Sequence, residues 1–336
     1  MFISLSGAFS NFSPTYGYGV AAENIIKGLD KHQIEYRFGD PEANLEIFWG
    51  HPPYEFNRSR NYKIGYTAWE STELKKDWVE FMSDADEIWS PSTWLSNVFA
   101  EKTGKPTFTY PHGIDKEWKP FRHYLPQEYE PFRFLHIGEP QVRKNGQKVV
   151  DAFGELFGNN EKYQLVMKTA GINTTRVYSE PSRSILGTPN GVYKNIIFID
   201  TILNKEQLIE LHNKSHCLLY PTAGEGFGFH PLEAAASGLP TISTVGWCDY
   251  KEFISVPINA ELSPSPWQDI HPGSMFDPSV EQIKEAMLEM VENYDKYAKE
   301  AFKNSFKVHE QWNWDVQNAK AAEKIKDILF SRLINQ

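Results

Sequence analysis

One stretch restricts this chain more than any other: residues 217–240, CLLYPTAGEGFGFHPLEAAASGLP. Cys217–Tyr220 is a short apolar run closed by Pro221, which predicts a buried strand of a parallel sheet. A loop with Gly224, Gly226 and Gly228 follows. Pro231 then stands where a first helical residue is expected, and Leu232–Ser237 reads as a helical run that stops at Gly238. A strand, glycine loop and helix start in that order offer free backbone N–H groups and the positive end of a helix dipole to a phosphate. Two carboxylates flank the loop, Glu225 within it and Glu233 in the expected first helical turn.

Their separation has chemical meaning. Eight residues at helical rise span about 12 Å, and more where the chain is extended. That is roughly the reach from a transferable sugar across a diphosphate to a ribose. On this reading Glu225 holds sugar hydroxyls, Glu233 holds the ribose diol, and the amides of Gly226, Phe227 and Gly228 face the diphosphate. The plainer reading of Glu233 is a first-turn acid that complements the dipole.

The stretch resembles the signature of retaining nucleotide-sugar glycosyltransferases of the GT-B fold, glycosyltransferase family 4 (glycosyl transferases group 1). The matching residues are Glu225-Gly226-Phe227-Gly228, Glu233, Ala234–Ala236, Gly238 and Pro240. The resemblance implies an α/β architecture of two Rossmann-like doubly wound parallel-sheet domains facing across a cleft. It also implies a nucleotide-diphosphate sugar as donor. Further matches follow along the chain. In the family a Lys after the first strand of the second domain binds the diphosphate, and Lys144 aligns with it. The Arg that usually precedes that Lys is replaced by Glu139, and Arg143 is the candidate for the missing charge. Arg offers a planar fork and Lys a point charge. Lys168, at the end of a predicted strand, joins the donor-binding set, and Asp200–Leu203 would lie near the nucleobase by family analogy.

The first domain carries its own glycine loop, Gly17 and Gly19, ahead of a helix expected at Val20–Leu29. By the resemblance this loop touches the sugar phosphate. It lacks the third glycine of a dinucleotide fingerprint, which makes a dehydrogenase remote. His51 follows the expected strand Leu45–Trp49 and is a candidate catalytic contact, because ligands in such folds sit at the carboxyl ends of strands. Glu70, in Trp69-Glu70-Ser71, and His112, in Pro111-His112-Gly113-Ile114-Asp115, are candidates on the acceptor side. For Glu70 a helix-capping role stands beside the functional one.

The 336 residues suit two domains, expected at 1–125 and 126–312. The Pro- and charge-rich stretch 116–131 reads as the linker, and a last helix, 313–336, is expected to pack back on the first domain. Alternating strands and helices support this α/β division. The loop 169–194 is expected to overhang the cleft or move, and 257–275 reads as irregular. The stripe Ile283, Met287, Met290, Val291, Tyr294, Tyr297 and Phe302 falls at helical spacing and predicts packing.

Composition closes off other classes. A net charge of −10, acidic in both halves, disfavours an unaided binder of nucleic acid or anionic membrane. Arg58, Arg60 and Lys63 are the nearest thing to a basic patch, and a solvated loop is the simpler account of them. A nucleic acid enters only as a hydroxyl-bearing acceptor. No apolar run approaches the ~20 residues of a membrane span. The first residues lack the basic and apolar segments of a signal peptide. Cys217 and Cys248 suit a reducing cytoplasm. The ten His show no metal-ligand spacing, so no metal or cofactor is expected beyond the nucleotide sugar itself. Two functions remain open: a metal-independent transferase, hexosyl or pentosyl, and a GT-B-like binding or interaction protein without turnover. Donor base, sugar, acceptor and oligomeric state are not specified.

Overall fold

A computed structural model describes residues 1–10, 17–56, 61–169 and 193–334. Most of the loop expected at 169–194, and Arg58 and Arg60, lie outside the described residues. The chain forms two compact units, one of residues 1–115 with 311–336 and one of residues 116–310.

The first unit is a six-stranded parallel sheet in the order β2-β1-β3-β4-β5-β6. The strands are β1 (Ile3–Gly7), β2 (Tyr36–Phe38), β3 (Leu45–Trp49), β4 (Tyr62–Tyr66), β5 (Glu87–Ser90) and β6 (Thr107–Thr109). Every residue of β3 is buried, as a parallel strand covered on both faces requires. The helices are α1 (Gly17–Lys31), α2 (Lys76–Met82) and α3 (Thr93–Thr103). Ser92 caps α3 by accepting from the Leu95 N–H, and Gly104 ends it in the left-handed conformation. Two element starts differ from expectation. α1 begins at Gly17, so both glycines belong to its first turn rather than to a preceding loop. α2 begins at Lys76 rather than Thr72, because Lys75 is extended and the Trp69 Nε1–H and Ser71 hydroxyl both donate to the Glu73 carbonyl.

The second unit is a six-stranded parallel sheet in the order β12-β11-β10-β7-β8-β9. Its strands are β7 (Phe132–Ile137), β8 (Tyr163–Lys168), β9 (Ile196–Ile199), β10 (Cys217–Tyr220), β11 (Thr241–Thr244) and β12 (Val256–Ile258). Its helices are α4 (Gly146–Phe157), α5 (Lys205–Asn213), α6 (Phe229–Ser237), α7 (Val280–Glu292) and α8 (Tyr294–Gln311). Phe134, Phe153, Leu165, Leu219, Ile242, Ile283, Met287 and Met290 are 0–1% exposed within one core. The helical stripe is split between α7 and α8 at Asn293, and Phe302 is only half-buried. Residues 257–275 are more ordered than their prolines suggest. Pro257 sits in the edge strand β12, where a missing N–H is tolerated, and β13 (Leu262–Pro264) pairs antiparallel with β14 (Ser274–Phe276).

The boundary at 125/126 is corrected to 115/116. Residues 116–125 are fastened within the second unit: the Phe121 N–H donates to Ser237 O at 2.8 Å, and His123 Nδ1 meets Ser215 O at 3.0 Å. The chain rejoins the first unit at Gln311. The Ile114 N–H donates to Trp312 O at 2.7 Å, and α9 (Trp314–Ile334) packs along α1. Gly113 permits this return, since a Cβ there would lie 2.4 Å from the Trp314 nitrogen. Among the described residues no helix is long and apolar enough to cross a membrane.

Candidate active site

In the second sheet the chain runs β7, β8, β9 to one side and β10, β11, β12 to the other, so the order reverses between β7 and β10. A parallel sheet opens a crevice beyond the carboxyl ends of its strands at such a point. The segments leaving β7 and β10 carry Arg143, Lys144, Glu225 and the Gly226–Gly228 loop of the predicted donor set.

After β7, Val142–Lys144 forms a 3-10 turn rather than the first turn of α4. Asn145 then takes a left-handed conformation (φ 57°) and α4 starts at Gly146. The Asn145 amide donates to Pro221 O at 2.8 Å and to Asp277 Oδ1 at 2.9 Å, and Lys148 Nζ reaches the same Oδ1 at 2.7 Å. These bonds tie the turn bearing Arg143 and Lys144 to the segment leaving β10. That segment answers with the Ala223 N–H on Arg143 O at 2.8 Å.

The groups converge on one oxygen. Glu225 Oε1 lies 2.6 Å from Lys144 Nζ, 3.0 Å from Arg143 Nη1, 3.0 Å from the Tyr220 hydroxyl and 2.8 Å from the Thr222 hydroxyl. Arg143 Nη1 also donates to Gly224 O at 2.8 Å, and Lys144 Nζ to the Tyr220 hydroxyl at 3.0 Å. Burial pushes the Glu225 carboxyl up, but the two cations and the hydrogen bonds of Lys144 and Thr222 outweigh it and hold the carboxyl at about 2. Glu225 is thus a fixed anion paired with two cations. Among the described residues no donor engages its second oxygen, Oε2, which leaves that oxygen for hydroxyls from outside.

Beyond Glu225 the loop runs through Gly226 and Phe227 to Gly228, which caps α6 at φ 79°. A Cβ on Gly228 would lie 2.6 Å from the Trp247 ring and 2.9 Å from the Tyr250 hydroxyl, so only glycine fits. Tyr250 donates to the carbonyls of Phe227 and Gly228. The N-cap Gly228 has no side chain with which to cap α6, and a helix N-terminus of this kind is an anion-binding arrangement.

α6 begins at Phe229, two residues before Pro231. Glu233 is therefore its fifth residue and not a first-turn acid. The dipole fades within the first turn, so the plain dipole account of Glu233 loses its footing. Glu233 is 14% exposed at its side chain and bonds His230 Nδ1 at 2.9 Å through Oε2. Lys168 is buried at the end of β8, with its ammonium turned onto the Thr169 carbonyl. Burial lowers its pKa, and Asp200 opposes the shift.

The remaining candidates lie in the first unit, where the strand order likewise reverses, between β1 and β3. Gly17 and Gly19 begin α1, and Tyr18 between them stacks on Trp49 at 4.4 Å. His51 Nε2 lies 3.2 Å from the Tyr18 hydroxyl, and its ring tilts against Trp78. The His51 side chain is exposed; local crowding lowers its pKa, the Glu70 carboxylate pulls it up and Lys75 adds to the lowering. Glu70 is half-buried. His112 is enclosed by Trp49, Tyr66 and Trp314, 4% exposed, and burial pushes its pKa down to about 3, so it is a neutral imidazole.

The structure thus gathers Glu225, Lys144, Arg143 and the glycine loop at one switch point, with Glu233 on the helix that follows. His51, Glu70, Gly17 and Gly19 stand at the carboxyl edge of the other sheet. Sequence reasoning missed Tyr220, Thr222 and His230. Tyr220 and Thr222 read as strand and loop. His230 carried a usable signal, since a residue three before Glu233 on a helix shares its face.

A family model described as glycosyl transferases group 1 matches residues 122–307, more than half of the chain. The serotype-specific mannosyltransferase WbdA of Escherichia coli is 29% identical over 110 residues, 32% of this chain. The chain covers only 13% of that protein's length. Among solved structures, HepE of Anabaena in complex with UDP-glucose superposes with a TM-score of 0.67 at 13% identity, covering 97% of this chain and 99% of that one. WaaG, a glycosyltransferase involved in lipopolysaccharide biosynthesis, gives 0.63 at 15% identity with the same coverage. Sucrose-phosphate synthase of Thermosynechococcus elongatus gives 0.60 at 14% identity, covering 94% of this chain and 79% of that one. At these identities the structures speak for the fold alone, two Rossmann-like parallel-sheet units of the GT-B class. With the extended family match over the unit that bears the Glu225 switch-point site, this chain belongs to the glycosyl transferases group 1 family.

Proposed function

We propose that the chain is a retaining, metal-independent glycosyltransferase that moves a sugar from a nucleotide-diphosphate donor to a hydroxyl acceptor. The observation that carries this reading is the Glu225–Lys144–Arg143 cluster beside the Gly226–Gly228 loop. In the reaction the bond between the anomeric carbon and a diphosphate oxygen breaks, and the acceptor oxygen bonds that carbon. The acceptor proton passes to the departing phosphate oxygen on the same face, which gives retention. Negative charge grows on the diphosphate as the bond breaks. Lys144 and Arg143, held in place by Glu225, and the amides of the Gly226–Gly228 loop stabilise that growing charge and so favour the transition state over the ground state. This supplies the role that a divalent cation plays in other transferases. Glu225 turns Oε2 to the sugar hydroxyls and is not a nucleophile, because its other oxygen is committed to four donors.

The HepE structure holds UDP-glucose, which makes UDP the first nucleotide to try. The acceptor is proposed as a glycan, a lipid-linked sugar or a small molecule, with a hydroxylated DNA base or a protein as less favoured classes. Tyr18, His51 and Glu70 form the candidate acceptor edge. The reading is tested by thermal shift and ligand-observed NMR against UDP, GDP, ADP, CDP and NAD, followed by a turnover assay with sugar donors and an acceptor panel. One diphosphate should bind selectively, and Lys144→Ala should weaken it at least about tenfold, the worth of one charge-assisted bond. Binding without turnover across the panel would support the non-catalytic reading, and NAD alone binding would sink both.

A further inference from the structure

The ribose end of the site holds a residue with no role so far. His230 is the second residue of α6 and Glu233 the fifth, so their side chains share a helix face. The pair meets through His230 Nδ1 and Glu233 Oε2 at 2.9 Å, with side chains 29% and 14% exposed. Among the described residues no other donor engages the Glu233 carboxylate, so His230 alone fixes its rotamer. His230 is itself held. Its ring stands edge-to-face on Tyr220, with centroids 6.0 Å apart and planes at 74°. The Tyr220 hydroxyl bonds Glu225 Oε1 and receives Lys144 Nζ, each at 3.0 Å. A series of contacts, Glu225–Tyr220–His230–Glu233, therefore links the two carboxylates.

We infer that His230 is a positioning residue that orients Glu233 for a ribose diol, and that it makes the site selective for ribonucleoside over 2′-deoxyribonucleoside diphosphates. The inference rests on the reading of Glu233 given above. A carboxylate that accepts from two neighbouring hydroxyls must present both oxygens at a fixed angle. With Nδ1–H donating to Oε2, Oε1 and the second lone pair of Oε2 remain available to accept from a diol. Without that bond the carboxylate rotates about its stem, and the hydroxyl that distinguishes ribose from deoxyribose loses its fixed partner.

The test compares each of UDP, GDP, ADP and CDP with its 2′-deoxy counterpart by isothermal titration, in the wild type and in three variants. The ratio of the two affinities for the tightest-binding base is the readout. The wild type should prefer the ribo form by about tenfold or more, the worth of one hydrogen bond to a charged group. Glu233→Gln should collapse the ratio, which tests the underlying reading. His230→Phe keeps the ring but removes Nδ1–H, and should bring the ratio to within about threefold of unity with the 2′-deoxy affinity little changed. His230→Asn places an amide N–H near the Nδ1 position and should restore the preference. If His230→Phe does not fold, His230→Gln, whose amide corresponds to Nε2, takes its place with the same expectation. A ratio that survives in His230→Phe but collapses in Glu233→Gln overturns the role of His230 and leaves Glu233 standing. A wild type without ribose preference overturns the reading of Glu233, and the inference with it.

Discussion

Replacing Glu225 by Gln removes the carboxylate that pairs with both Arg143 and Lys144, and the cost can be estimated in two ways. The carboxyl is held at about 2 against an ordinary 4.5, a shift equivalent to about 3 kcal/mol of native-state stabilisation. Breaking a buried ion pair by removing one partner costs about 3–5 kcal/mol, because the other charge is left uncompensated. Gln keeps an acceptor oxygen for the Tyr220 and Thr222 hydroxyls, so the lower figure, about 3 kcal/mol, is expected. The sign of the pH dependence follows from the depressed pKa. The stabilisation is complete above the unfolded value near 4.5 and is lost as pH falls through about 2. Urea denaturation of the wild type and Glu225→Gln should therefore give the widest gap at pH 7, with the two curves converging between about pH 4 and 2. A nucleoside diphosphate supplies the missing negative charge, so UDP at saturating concentration should raise the midpoint of the variant more than that of the wild type. A loss below about 1 kcal/mol at pH 7, or a gap that does not narrow in acid, would show that the cations are compensated without Glu225 and would refute the argument.

Two further substitutions probe what holds the site and the C-terminal return. Gly228→Ala combines a positive φ with a clash on Trp247, and should cost about 2–5 kcal/mol while abolishing diphosphate binding; a variant of wild-type stability by thermal denaturation would contradict the geometry. Asn318→Ala removes bonds to the Tyr110 hydroxyl at 2.5 Å and the Asn24 carbonyl at 3.1 Å, leaving buried polar atoms that cost about 1–3 kcal/mol each. Hydrogen exchange in α1 and α9 should rise together, and unchanged protection in α9 would show that Asn318 does not fasten it.

The alternation of strands and helices was legible because parallel strands buried on both faces leave apolar runs, as in Leu45–Trp49 and Cys217–Tyr220. Proline misled where tertiary position overrode local preference. Pro231 was read as the first helical residue, yet the first four N–H groups of a helix need no intrahelical acceptor, so α6 starts at Phe229 without penalty. That shift of two residues changed the meaning of Glu233 from a dipole partner to a side chain on an open face. Residues 257–275 read as irregular from their prolines, but Pro257 sits in an edge strand, which has a solvent side. The boundary near 125 was misplaced for a related reason. Proline and charge mark a segment that lacks periodicity, and they say nothing about which body its backbone bonds to; Phe121 and His123 bond to the second unit.

The site divides along the same line. Glu225, Glu233 and Lys144 stand out in the sequence as candidates because they are charged residues set in and around glycine-containing loops. The motif does not record what holds those residues still. Tyr220 is the last residue of a strand, and its ring lies in the sheet's apolar context while its hydroxyl reaches Glu225. Its role depends on the crossing of β7 and β10, which joins residues 76 and more positions apart, as in the bond from Lys144 to Tyr220. Such a partner is invisible in a linear pattern. The His230–Glu233 pair is the opposite case, local at three residues' separation and open to a reader who tests helix faces as well as motif letters. The charged residues of the candidate site are therefore legible in the sequence, whereas the neutral residues that hold them in place come beside them only through the sheet order.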